Sequence, residues 1–182
     1  MGRIILVTGG SRSGKSRYAQ QRAEALLPPR IFVATCPALD DEMRQRIARH
    51  QAERHQHHWQ TVEAPTDLVQ ALADHGSATV LVDCLTLWVN NLLFAAEQAG
   101  RELTEDDVTT AARAVADAAR AGGGVTIFVT NEVGLGVVPD NPLARRFRDL
   151  AGRCNQAVAA AADEVILLVS GIPLTLKPKA EK

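Results

Sequence analysis

The residues best suited to chemistry lie close to the amino terminus. Gly9-Gly10-Ser11-Arg12-Ser13-Gly14-Lys15-Ser16 has the form G-x-x-x-x-G-K-[ST] in full. Glycines so spaced let a backbone curl until several N–H groups converge on one anion. A helix starting at the end of the loop adds partial positive charge there. Lys15 is placed to reach the β- and γ-phosphates of a nucleoside triphosphate, and the Ser16 hydroxyl to hold Mg²⁺. All eight residues are therefore candidate nucleotide contacts. A second Mg²⁺ ligand is expected from an acid at the end of a neighbouring strand. Thr79-Val80-Leu81-Val82-Asp83 has that form, with Asp83 at the carboxyl edge of a sheet, on the same side as the loop.

A third group lies in a polar stretch from Asp40 to His57. On a helix, Arg46, His50 and Arg54 share one face at i, i+4 and i+8. A histidine between two guanidiniums is disfavoured from holding its own extra proton. A neutral imidazole flanked by phosphate-binding groups could attack phosphorus. The same spacing also suits a solvated polar helix. His55, His57 and His58 lack cysteines or paired carboxylates at ligand spacing, so they read as a surface run rather than a metal site.

Short apolar runs alternate with longer helical patterns around these groups. Ile4 to Thr8, Ile31 to Thr35, Thr79 to Asp83, Val125 to Thr130 and Val165 to Ser170 are rich in β-branched residues and nearly all apolar. Strands covered on both faces of a parallel sheet look this way. Helices are expected over Gly14 to Leu27, Asp40 to about His57, Thr66 to His75 and Leu85 to Ala99. Two more are expected, one from Thr104 to the glycines at 122–124 and one from Asn141-Pro142 to about Ala162. Trp59 to Glu63 returns the chain toward the sheet, and Ile172 to Lys177 suits a hairpin-connected last strand. The alternation predicts an α/β fold of the P-loop NTPase (RecA-like) kind. It is a three-layer sandwich with a mostly parallel sheet and an antiparallel C-terminal strand. A single domain over 1–182 is expected, with a frayed tail over 177–182.

Composition narrows the partners. Twenty basic and 21 acidic residues leave a net charge of −1, which is no footprint for nucleic acid or an anionic membrane. No apolar run approaches the ~20 residues of a bilayer span, and the short run at the amino terminus has no cleavage site. A cytoplasmic protein is expected. Cys36, Cys84 and Cys154 lack metal or redox spacing and read as small hydrophobes in a reducing compartment. The loop alone leaves kinase, switch and motor open. An Asn-Lys pair, as a guanine-reading switch would carry, is absent, and Asp149-Leu150-Ala151-Gly152 falls inside a predicted helix. The size suits a small-molecule kinase. A nucleotide-gated binding module is the non-enzymatic alternative.

Longer blocks narrow the reading further. They are Val7 to Ser16, Ala34-Thr35, Asp40 to Met43 with Arg46-Ile47 and Arg49-His50, Trp59 to Glu63, Val82 to Thr86 and Asn90 to Leu93. To these add Val129-Thr130-Asn131-Glu132-Val133-Gly134-Leu135-Gly136-Val137-Val138-Pro139, Arg145 to Asn155, and Ser170 to Leu174. In these the chain resembles, over nearly its whole length, the bifunctional adenosylcobinamide kinase and adenosylcobinamide-phosphate guanylyltransferase family of cobalamin biosynthesis. The resemblance implies two reactions. ATP or GTP phosphorylates the aminopropanol hydroxyl of adenosylcobinamide. GMP then passes from GTP to adenosylcobinamide phosphate through a GMP–histidine intermediate, with loss of pyrophosphate. It maps the histidine onto His50. It draws the nucleotide site from the loop, Val33, Ala34 and Thr35, Gln51, Ala52, Glu53 and Arg54, and the acids Glu63 and Asp83. It further implies a homotrimer, to which the apolar helix Leu85 to Ala99 could contribute. A P-loop kinase without guanylyl transfer is the alternative enzyme.

Overall fold

The computed structural model of the chain describes residues 1–36 and 59–178. His50, Gln51, Ala52, Glu53 and Arg54, with the expected helix that carries them, lie outside the described residues, as does the end of the tail.

The described residues form a seven-stranded sheet in the order β3-β2-β4-β5-β1-β6-β7. Its strands are β1 (Arg3–Gly9), β2 (Arg30–Ala34), β3 (Trp59–Glu63), β4 (Thr79–Asp83), β5 (Val125–Val129), β6 (Glu164–Val169) and β7 (Ile172–Lys177). Every pairing is parallel except that of β6 with β7. The expected antiparallel C-terminal strand is therefore present.

The apolar runs have the two-sided burial that a parallel sheet requires. Successive side chains alternate across a strand, so Ile4 and Leu6 join one core while Ile5 and Val7 join the other. Helix α1 (Lys15–Glu24) covers the face of Ile5, Val7, Leu81 and Ile127 through Ala19 and Ala23. Helices α2 (Leu68–His75), α3 (Leu85–Gln98), α4 (Glu105–Ala121) and α5 (Pro142–Ala161) cover the opposite face. Three layers result.

Local chemistry sets the helix starts. Thr104 and Asp107 form the capping box of α4, Thr104 N–H donating to Asp107 Oδ2 at 2.9 Å. Asn141 caps α5 through bonds from the N–H groups of Leu143 and Ala144, with Pro142 in the first turn. α2 begins at Leu68 rather than Thr66, because Asp67 is the cap that accepts from Gln70 N–H. Trp59 to Glu63 pairs in parallel with β2 as an edge strand, although its exposed Gln60 and Glu63 break the apolar pattern of a covered strand. The apolar character of α3 comes mainly from Leu85, Trp88, Val89, Leu93 and Ala96 on its core-facing side; Phe94 stands exposed.

Candidate active site

The phosphate loop joins the carboxyl end of β1 to α1. Gly9 and Gly14 have φ of +150° and +94°. A Cβ at Gly9 would lie 2.5 Å from the Leu168 carbonyl oxygen and 2.8 Å from Ser13 Oγ, so only glycine fits between the loop and β6. The turn between β6 and β7 braces the loop from outside, Gly171 N–H donating to Ser13 O at 2.9 Å. Lys15 is 7% exposed, and its Nζ donates to Gly10 O at 2.6 Å across the loop.

A cleft of about 390 Å³ opens at this edge of the sheet. Of the candidate residues, Ser11, Arg12, Ser13, Gly14, Lys15, Ser16 and Asp83 line it, together with Arg17, Cys84, Val129 and Asn131. Gly9 and Gly10 form the approach to the loop. Val33 faces the core. Thr35 is wholly buried, its hydroxyl donating to Cys84 O at 2.8 Å and accepting from Cys84 N–H at 2.7 Å. Thr35 thus fixes the end of β4, and so Asp83-Cys84, from beneath. Ala34 pairs with Asp83 on one side and with the exposed Glu63 on the other. None of Val33, Ala34, Thr35 and Glu63 lines the cleft among the described residues.

One placement differs from expectation. Asp83 is not on a strand adjacent to β1, because β5 lies between β1 and β4. The register Val7↔Val129↔Asp83 carries the geometry across that intervening strand. Asp83 and Lys15 therefore meet in one cleft across the end of β5. Burial lowers the Lys15 pKa, against the opposing pull of the Asp83 carboxylate, which favours the ammonium. Burial, with the Asp83 carboxylate adding to it, pushes the Cys84 thiol up to about 11, which leaves it protonated and unreactive at neutral pH.

The intervening strand brings residues to which spacing assigned no role. Just past β5, Thr130, Asn131 and Glu132 enter a buried polar network. Thr130 Oγ1 donates to Asn155 Oδ1 at 2.7 Å and lies 3.2 Å from Thr86 Oγ1. Asn131 N–H donates to Thr86 Oγ1 at 2.8 Å, and Asn131 O accepts from Asn155 Nδ2 at 3.1 Å. The Glu132 carboxylate accepts from Thr8 Oγ1 and from Asn155 Nδ2, and its N–H donates to Gly9 O at 3.1 Å. The network ties β5, β1, α3 and α5 together beside the phosphate loop. The detectable signal is a polar triplet directly after an apolar strand.

Among the described residues no cluster of three or more His, Cys, Asp or Glu could hold a metal by itself. The Ser16 hydroxyl and Asp83 carboxylate are hard oxygen donors in one cleft, which suits Mg²⁺ completing its shell with phosphate oxygens and water. Asp149-Leu150-Ala151-Gly152 lies within α5, so it is no switch. Cys84 and Cys154 are buried and Cys36 is partly so, and none forms a disulfide. No helix among the described residues is long and apolar enough to cross a membrane.

A glycine-rich loop opening a helix at the carboxyl edge of a mostly parallel sheet, with an acid on a strand beyond, places the chain among P-loop NTPases. The KaiC-like protein PH0186 of Pyrococcus horikoshii OT3 shares the fold, with a TM-score of 0.52 over 91% of this chain and 70% of that one, at 17% identity. Residues 5–176 match the family model CobU, cobinamide kinase / cobinamide phosphate guanyltransferase, and the chain belongs to that family. It is 45% identical to the bifunctional adenosylcobalamin biosynthesis protein CobU of Salmonella typhimurium, over 96% of this chain and 99% of the relative. It is 42% identical to the protein of the same name from Escherichia coli, over the same shares of the two chains.

Proposed function

We propose that this chain is an enzyme that phosphorylates adenosylcobinamide and then guanylylates the product. The observation that carries the reading is the family match across residues 5–176, on a chain whose phosphate loop, Lys15 and Asp83 converge on one cleft. In the first reaction the aminopropanol oxygen attacks the γ-phosphorus of ATP or GTP. The bond to the β-bridging oxygen breaks, the nucleoside diphosphate leaves, and the hydroxyl proton passes to a base or to water. In the second, an imidazole nitrogen of His50 attacks the α-phosphorus of GTP and pyrophosphate departs. A phosphate oxygen of adenosylcobinamide phosphate then displaces the histidine, giving adenosylcobinamide-GDP and restoring His50.

The loop backbone and the ammonium of Lys15 hold and neutralise the phosphates that leave or transfer in both reactions. Gly9 to Ser16 form this cradle, and Val33, Ala34, Thr35, Gln51, Ala52, Glu53, Arg54 and Glu63 complete the nucleotide site in this reading. Ser16 and Asp83 would hold Mg²⁺, which would supply positive charge against the phosphates. We further propose a single domain over 1–182 in a cytoplasmic homotrimer. The exposed apolar side chains of Phe94 and Leu143 are suited to a subunit contact.

Incubation with α-labelled GTP tests the central step. A covalent protein label that is acid-labile and alkali-stable, and absent from His50→Ala, is the expected result. A label retained by His50→Ala refutes the assignment. A label absent from the unaltered protein refutes guanylyl transfer altogether.

A further inference from the structure

We infer that Asn131 contacts the terminal phosphate of the bound triphosphate and gives the cleft its preference for triphosphate over diphosphate; the inference rests on the nucleotide use proposed above. Three observations place it there. Asn131 follows β5, the strand between the phosphate-loop strand and the Asp83 strand, and it lines the cleft with Lys15 and Asp83. Its backbone is held on both sides, N–H on Thr86 Oγ1 and C=O on Asn155 Nδ2. The next residue, Glu132, is itself anchored to Thr8, Gly9 and Asn155.

The carboxamide, in contrast, makes no hydrogen bond among the described residues, although every neighbouring polar group in this network is engaged. A carboxamide on a clamped backbone, unbonded among the described residues, is available to donate to an incoming oxygen. The loop N–H groups and the amino end of α1 surround the position of the β-phosphate. The region between Lys15 and Asp83, over the end of β5, is where the next phosphate falls, and Asn131 borders it. An amide N–H donor suits a γ-phosphoryl oxygen, whose negative charge strengthens the bond.

Binding of GDP and of a GTP analogue with an α,β-methylene bridge, which attack at the α-phosphorus cannot cleave, both with Mg²⁺, tests the inference by calorimetry. The unaltered protein should favour the triphosphate analogue. Asn131→Ala should lose roughly 10-fold of that preference, a charge-assisted hydrogen bond, with the Kd for GDP unchanged. Asn131→Asp keeps the shape but sets a carboxylate against the phosphate, so it should lose more than the alanine variant while GDP binding again holds. Equal weakening of both nucleotides in either variant would make Asn131 merely structural and overturn the inference. An unchanged preference in both variants would overturn it as well. Covalent labelling of the unaltered protein by α-labelled GTP is read separately. Absence of label with the γ-phosphate preference still dependent on Asn131 would refute guanylyl transfer and leave Asn131 standing. The reverse pattern would refute Asn131 alone.

Discussion

Thr130→Val isolates the buried network that frames the site. Thr130 is 1% exposed, and its single hydroxyl hydrogen goes to Asn155 Oδ1 at 2.7 Å. The contact of 3.2 Å with Thr86 Oγ1 must then run the other way, with Thr86 donating. Valine matches the shape of threonine and removes both bonds. It leaves a buried donor at Thr86 and a buried acceptor at Asn155, at about 2 kcal/mol each. The added methyl returns about 1 kcal/mol of apolar burial. The expected loss is therefore about 3 kcal/mol, equivalent to a fall in Tm of roughly 6–12 °C for a chain of this size. Thr126 provides the control. It lies within β5, upstream of Thr130 and on the same face, is 1% exposed, and its hydroxyl makes no hydrogen bond among the described residues. Thr126→Val should be neutral or slightly stabilising. Urea unfolding followed by circular dichroism, with thermal scans beside it, measures both variants. If Thr130→Val costs no more than Thr126→Val, the network does not hold the end of β5 and the reasoning fails.

Gly9→Ala should lower stability by about 2 kcal/mol and weaken nucleotide binding, because the new Cβ meets the Leu168 carbonyl 2.5 Å away at a φ of +150°. Gly10→Ala, with nothing within 4 Å, should leave stability nearly unchanged; equal thermal shifts in the two variants would contradict the steric account. Burial acts to raise the carboxyl pKa of Asp163. The hydrogen bonds from Arg120 and from Ile4 N–H, with the charges of Arg120 and Lys177, outweigh it and hold the pKa below its ordinary 3.8. A carboxylate depressed in the folded state contributes stability that is complete above its unfolded pKa and lost as pH falls through the folded value. Unfolding free energies measured from neutral pH down to about pH 3 should therefore decline, and Asp163→Asn should flatten that acid limb. An acid limb in Asp163→Asn parallel to that of the unaltered protein would refute this role.

Much of the molecule could be read from residue order, because the determining interactions are local or periodic. The unbroken apolar runs of β1, β2, β4, β5 and β6 state that both sheet faces are covered. Thr104 with Asp107, Asn141 with Pro142, and Asp67 begin helices within a turn of themselves. The phosphate loop is a contiguous motif whose chemistry comes from its own backbone. Thr66 and Trp59 to Glu63 were harder to read. The first loses its helix start to the side chain beside it, and the second is an edge strand whose polar residues need only one covered face.

What tertiary structure alone decided is which strand ends meet. Strand order is set by crossovers between distant segments, so no local pattern states that β5 lies between β1 and β4. That order separates Asp83 from the phosphate-loop strand and inserts Asn131 between them. It also brings Thr86, Asn155 and Thr8, far apart in the chain, onto Thr130, Asn131 and Glu132. Hydrogen bonds that close over such separations depend on the packed arrangement of the sheet and its helices. The Gly9 to Ser16 loop was legible from the chain alone. The polar frame facing it became legible only once the strands were laid side by side.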